Sequence, residues 1–91
     1  MAEVESVLLH QSFPNPTTGE ATIKFDLSAS TSIKMDLVNM YGQQVATLAT
    51  GTYSAGSHEV IANTSNLASG VYFYNLHAGN EVYTKKMVVV K

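Results

Sequence analysis

The chain has no cysteine, no tryptophan and no arginine, and only two of its 91 residues are proline. Without cysteine there is neither a disulfide framework nor a thiolate metal site. Without arginine the planar fork that reads phosphates and guanine edges is missing, so no nucleic-acid partner is expected. Charge is sparse: 13% of residues are charged, about half the usual ~25% of a soluble domain. A surface built instead from Ser, Thr, Asn and Gly suits an extracellular β module. No apolar run approaches the roughly 20 residues of a membrane-spanning helix, so no membrane span is expected. The opening "MAEVESVLL" is acidic and lacks a basic n-region, so it does not read as a signal peptide.

Catalytic motifs are missing too. His10, His58 and His77 stand far apart, with no H-x-x-x-H or H-E-x-x-H spacing. They read as half-exposed strand and turn residues, and no metal site or other cofactor is expected. No serine sits in a G-x-S-x-G elbow, and no glycine-rich phosphate loop opens a helix. The seven carboxylates are scattered, mostly on outward strand positions. No catalytic residue emerges, and an enzyme is not expected. Asn63-Thr64-Ser65 spells a glycosylation acceptor, a triplet that recurs by chance. Tyr41, Tyr53, Tyr72, Tyr74 and Tyr83 could stack on a sugar, as in a carbohydrate-binding module. They equally suit strand faces, being apolar in body and polar at the tip.

What is present is period two. In "EATIKFDL", Ala21, Ile23, Phe25 and Leu27 share one face while Thr22, Lys24 and Asp26 share the other, the mark of a half-buried strand. "TSIKMDLVNM" repeats the pattern with Ile33, Met35 and Leu37 inside. A turn at Tyr41-Gly42-Gln43 leads to a short strand through Val45 and Leu48. A glycine-rich loop from Gly51 to Gly56 precedes a strand from about His58 to Ala62. "LASGVYFYNLHAGNEVYTKKMVVVK" reads as two strands joined by the hairpin signal Ala78-Gly79-Asn80. Upstream, "SVLLHQSF" makes a first strand that "PNPTTG" stops, because Pro14 and Pro16 cannot donate to a ladder. No window holds a useful helical period. The fold class is therefore all-β: a seven-stranded antiparallel immunoglobulin-like β-sandwich. One domain spans residues 7–91, and residues 1–6 read as a linker or added leader.

Charge is unevenly placed. Residues 1–81 hold Lys24 and Lys34 against seven acids, a net −5, whereas residues 82–91 hold Lys85, Lys86 and Lys91 with no acid, a net +3. The segment "TKKMVVVK" reads as a strand where chain ends usually fray. In period two, Lys86, Val88 and Val90 share one of its faces and Lys85, Met87, Val89 and Lys91 the other. At a sheet edge its unpaired backbone would be open to strand addition, and a homodimer through that edge is one outcome.

Four stretches in order complete a pattern: "LLHQSFPNPTTGEATIKFDL", "IKMDLVNMYGQQVATL", "YSAGSHEVIANTSNLASGVYFYNLHAG" and "YTKKMVVVK". Together they resemble the type A C-terminal sorting domain of the type IX secretion system (Por secretion system) of Gram-negative bacteria. The elements are an N-P-x-x loop before a strand, a Tyr-Gly turn, an A-G-x-H strand, "LASGVYFYNL" and a lysine–valine terminal strand. The resemblance implies a C-terminal secretion signal that directs a larger cargo protein across the outer membrane. It implies an outer-membrane translocon and a shuttle protein as partners. It also implies a surface sortase that removes the domain and joins the cargo to lipopolysaccharide, cutting near or upstream of Met1–Ser6. The cargo would pass through the periplasm and end at the cell surface or secreted.

On this reading, recognition by the machinery falls on Lys85, Lys86, Val88, Val89, Val90 and Lys91. Pro14, Asn15 and Pro16 fix a turn between the first two strands. Gly42 and Gly56 supply positive φ or tight turns, and Gly70 lets the chain enter a closely packed strand. Tyr72, at the family's G-x-Y position, is expected to be buried with its hydroxyl tied to backbone, in the manner of a tyrosine corner. Two other readings remain: a non-catalytic carbohydrate- or surface-binding accessory module of an extracellular enzyme, and a structural immunoglobulin-like spacer.

Overall fold

A computed structural model describes residues 7–91. Its elements are β1 (Val7–Leu9), β2 (Glu20–Leu27), β3 (Thr31–Asn39), β4 (Gln44–Tyr53), β5 (Gly56–Asn63), β6 (Gly70–Ala78) and β7 (Glu81–Val89). They form two antiparallel sheets, β1-β2-β5 and β4-β3-β6-β7. These seven strands and no described helix make the immunoglobulin-like sandwich that alternation implies.

The two inner faces supply one core. Ala21, Ile23, Phe25, Leu27, Val60 and Ala62 come from the three-stranded sheet; Ile33, Met35, Leu37, Tyr74, Leu76, Met87 and Val89 come from the other. Phe25 carries the largest apolar ring of this set and is fully buried. Tyr53 meets it edge-on at 5.6 Å between ring centroids, and His58 stacks on it at 5.4 Å.

Three stretches differ from the sequence reading. The first strand ends at Leu9 rather than running to Phe13; Ser6, its expected start, lies outside the described residues. Tyr74 donates its hydroxyl to the His10 carbonyl at 2.7 Å, drawing that carbonyl across the sandwich. The chain leaves the β2 ladder there and rejoins it only at the Phe13–Thr22 bridge. The glycine-rich loop is shorter than Gly51–Gly56, because Gly51, Thr52 and Tyr53 continue β4 opposite Ile33, Ser32 and Thr31. Only Ser54 and Ala55 connect the sheets at that point. The strand through Val45 and Leu48 is accordingly longer than its apolar spacing suggests.

Candidate functional site: the terminal strand and the proline loop

The hairpin register decides which face of the last strand is core. Tyr72 opposes Met87 and Tyr74 opposes Lys85, so Lys85, Met87 and Val89 share the inward parity. Met87 and Val89 are buried at 0% and 1% exposure, Val88 is half-buried and Lys86 is exposed. Lys85 sits half-buried at the rim of the sandwich, its aliphatic stem suited to run along apolar surface with the ammonium in water. Neither Lys85 nor Lys86 has an ion-pair partner among the described residues.

β7 lies at the edge of its sheet, and the proline loop covers part of that edge. The Thr17 amide donates to the Val88 carbonyl and the Val90 amide donates to the Thr17 carbonyl, both at 2.9 Å. These bonds make a parallel bridge between Thr17 and Val89. The Asn15 side-chain oxygen accepts from the Val88 amide at 2.9 Å, and Gln11 Nε2 donates to the Lys86 carbonyl at 2.6 Å. Thr17 is itself fully buried, its hydroxyl donating to the Glu20 carbonyl at 3.1 Å and accepting from the Gly19 amide at 3.3 Å. Both X-Pro bonds of the loop, Phe13-Pro14 and Asn15-Pro16, are cis. Pro14, Asn15 and Pro16 are exposed and stand beside Val88–Val90, so opposite ends of the sequence meet here.

Lys91 is also engaged. Its Nζ donates to the carbonyls of Thr64 (2.8 Å) and Ser65 (3.3 Å) in the β5–β6 connection. Thr64 is buried, and its amide and hydroxyl both donate to the Gly19 carbonyl. Lys91 therefore fastens the end of the terminal segment to the β5–β6 connection, which Thr64 in turn ties to Gly19.

Among the glycines and the tyrosine singled out in the sequence, Gly42 has φ +81° within the β3–β4 turn. There the Asn39 carboxamide oxygen accepts from the amides of Tyr41 and Gln43. Gly56, φ +125°, opens β5 at the opposite end of the molecule, facing Leu27. Gly70 opens β6 facing Val89, beside the terminal strand; the close packing expected there is absent, since a Cβ would meet nothing within 4 Å, and what favours glycine is its φ of +156°. Tyr72 is 7% exposed and its hydroxyl donates to the Ala68 carbonyl at 2.7 Å. The site thus gathers the proline loop, Gly70, Tyr72 and the terminal strand, and leaves Gly42 and Gly56 outside it. Gln11 and Thr17 belong to it, and nothing in their sequence neighbourhood signals a bond to a strand some 70 residues away.

Elsewhere among the described residues, two carboxylates gather side-chain polar contacts. Ser57 donates to Asp26 at 2.5 Å and His10 Nε2 lies 2.7 Å from the other oxygen of that carboxylate. In a hydrolase triad the histidine stands between hydroxyl and carboxylate; here the carboxylate stands in the middle, so the His10 imidazole does not meet the Ser57 hydroxyl. These bonds, that from Ser57 first, lower the Asp26 carboxyl below its ordinary range. Burial raises the Tyr74 hydroxyl. Asp36 is flanked by His77 (3.2 Å) and Lys34 (3.8 Å), and its Oδ1 has no hydrogen-bond partner. Among the described residues no group of three or more His, Cys, Asp or Glu could hold a metal ion. No described helix is long and apolar enough to cross a membrane. Tyr72 and Tyr74 are buried and only Tyr41 is largely exposed, so the five tyrosines do not form a stacking platform.

The class of protein is therefore a small two-sheet sandwich whose noteworthy surface is one terminal strand. The chain belongs to the secretion-system C-terminal sorting domain family, whose model matches residues 11–90. No curated protein matches it significantly. The domain is a C-terminal signal for type IX secretion: it interacts with secretion machinery, and its cargo is exported to the cell surface or secreted. The family's role is that of a sorting signal rather than a catalyst.

Proposed function

We propose that the secretion machinery reads this domain through its terminal segment, with Lys85, Lys86, Val88, Val90 and Lys91 in contact and Val89 holding the strand in place. The observation that carries this reading is a pair of lysines with no ion-pair partner among the described residues, on an edge strand that is basic against an acidic remainder. Opposite charge steers encounter and selects partners more than it adds affinity. The partners are the outer-membrane translocon and its shuttle protein, met during transit through the periplasm. A surface sortase then cuts ahead of β1 and joins the cargo to lipopolysaccharide; that bond, placed near or upstream of Met1–Ser6, lies outside the described residues. The domain itself is residues 7–91, with residues 1–6 as linker, and it is substrate rather than enzyme. Adjacent Lys85 and Lys86 repel a second copy along β7 and so oppose the homodimer that a bare edge would allow.

Fusing residues 7–91 to a periplasmic reporter in a host with this system tests the reading. The reporter should appear outside the cell, and deleting Val89–Lys91 should retain it. Because Val89 is core, a Lys85→Glu/Lys86→Glu pair on a folded domain is the cleaner variant, and it should also stop export. Unimpaired export of that pair would overturn the assignment of Lys85 and Lys86.

A further inference from the structure

The free edge of β7 is divided in two. Along an antiparallel strand every second residue turns its amide and carbonyl to the same side. Val88 turns both toward the proline loop, so Lys86, Thr84 and Val82 turn theirs the same way, away from β6. From the Lys86 carbonyl to the Val90 amide this edge is filled by Gln11, Asn15 and Thr17. The amides of Val82, Thr84 and Lys86 and the carbonyls of Val82 and Thr84 have no partner among the described residues.

We propose that Val82–Lys86 receives an extended acidic segment of the secretion machinery as an added strand. This rests on the reading that the terminal segment is what the machinery contacts, and it specifies how. The proline loop already shows that the edge accepts a segment from elsewhere in the chain, through its bridge from Thr17 to Val89. The pairing stops at Lys86; beyond it the outward backbone groups and both lysine side chains have no partner among the described residues. Main-chain bonds in strand addition give affinity while flanking side chains give specificity, and the two ammonium groups select carboxylates. A second copy paired here would crowd four lysines onto a short ladder with no acid between Val82 and Lys91. The other edges fit less well: β4 is interrupted by two register shifts, β1 has three residues, and Glu59 on β5 is already paired with Lys24 at 3.5 Å.

The test uses the 91-residue chain, labelled for amide exchange by NMR, and a synthetic peptide alternating valine and glutamate, with a valine–lysine peptide as control. The acidic peptide should slow exchange at Val82, Thr84 and Lys86 by on the order of tenfold or more and leave Tyr83 and Lys85, bonded to β6, unchanged; the basic peptide should do neither. Protection that grows with chain concentration and without peptide would mean pairing with a second copy and would overturn the proposal. Thr84→Pro removes one outward amide without touching the β6 ladder, a position where an edge strand tolerates proline, whereas Thr84→Ala keeps that amide. Peptide protection and export of the reporter fusion should be lost in Thr84→Pro and kept in Thr84→Ala. Export retained in a folded Thr84→Pro but lost in Lys85→Glu/Lys86→Glu would leave the terminal segment as the recognised surface and overturn strand addition. Export unaffected by both, and by loss of Val89–Lys91, would overturn the underlying reading as well.

Discussion

The four-stranded sheet ends in two different edges. β4 pairs with β3 through a register that shifts twice, between Met35 and Asp36 and between Leu37 and Val38, leaving Leu48 and Val45 as extra residues. Such bulges bend a strand and deny a regular template to any incoming chain. β7 pairs with β6 residue for residue from Glu81 to Val89, and among the described residues its outer side is covered only where Gln11, Asn15 and Thr17 reach it. The bulges spoil the β4 edge between Gln44 and Ala49 and leave Ala49–Tyr53 in regular register, whereas the loop-covered edge is closed at one place and open at another. The second device lets a protein position an open stretch of backbone without exposing the whole strand.

The largest expected effect separates how firmly the two edges are anchored. Met87 is fully buried beneath β7, while Leu48 on β4 is only half-buried. Met87→Ala should destabilise the domain by about 2–5 kcal/mol, the range for emptying a core site. Leu48→Ala should cost less than half as much, because less of its side chain leaves water on folding. Denaturant midpoints measure both, and equal losses would erase the contrast. A smaller effect tests the cover itself. Asn15→Ala removes the acceptor of the Val88 amide and should cost about 0.5–1.5 kcal/mol, the net worth of one hydrogen bond. Exchange at the Val88 amide should quicken while that of Met87 does not. No change at Val88 would mean that Asn15 does not close this edge.

These contrasts were unevenly legible in the sequence. Strands β2 and β6 and the Gly79-Asn80 turn follow from local alternation, which a single stretch carries whole. The last strand was ambiguous, because Met87 and Val89 alternate with Val88 and Val90 and both faces are apolar. Only the pairing of Tyr72 with Met87 settles its parity. The lysines of the candidate site stood out as composition. Its division did not, since Asn15 and Thr17 act on β7 through backbone bonds, which leave no periodicity in side chains. The early end of β1 was hidden for a similar reason: it depends on a tyrosine hydroxyl 64 residues further along the chain.

The smallest effect concerns the three-stranded sheet, where side chains reinforce the backbone ladders that join its edges to its centre. Asp26, on the central strand, accepts from Ser57 on β5 and pairs with His10 just past β1. Its carboxyl titrates below the ordinary value of 3.8 in the folded chain, the Ser57 bond being the larger cause and the His10 contact the next. A depressed folded value means that the unfolded chain takes up the proton first on acidification. The contribution of this group is therefore fully present above about pH 4 to 5 and is lost as the pH falls through the folded value. Because the carboxylate is open to solvent, the effect should be modest. It should appear as a small decline in urea midpoint below pH 4, absent in Asp26→Asn. The four-stranded sheet offers a direct comparison, since the loop that covers β7 is held by backbone and carboxamide groups that do not titrate. Amide exchange in acid should therefore quicken at His10 and along β5 before it does at Val88 and Val90. The reverse order would show that the proline loop, and not the Asp26 tie, is the weaker fastening.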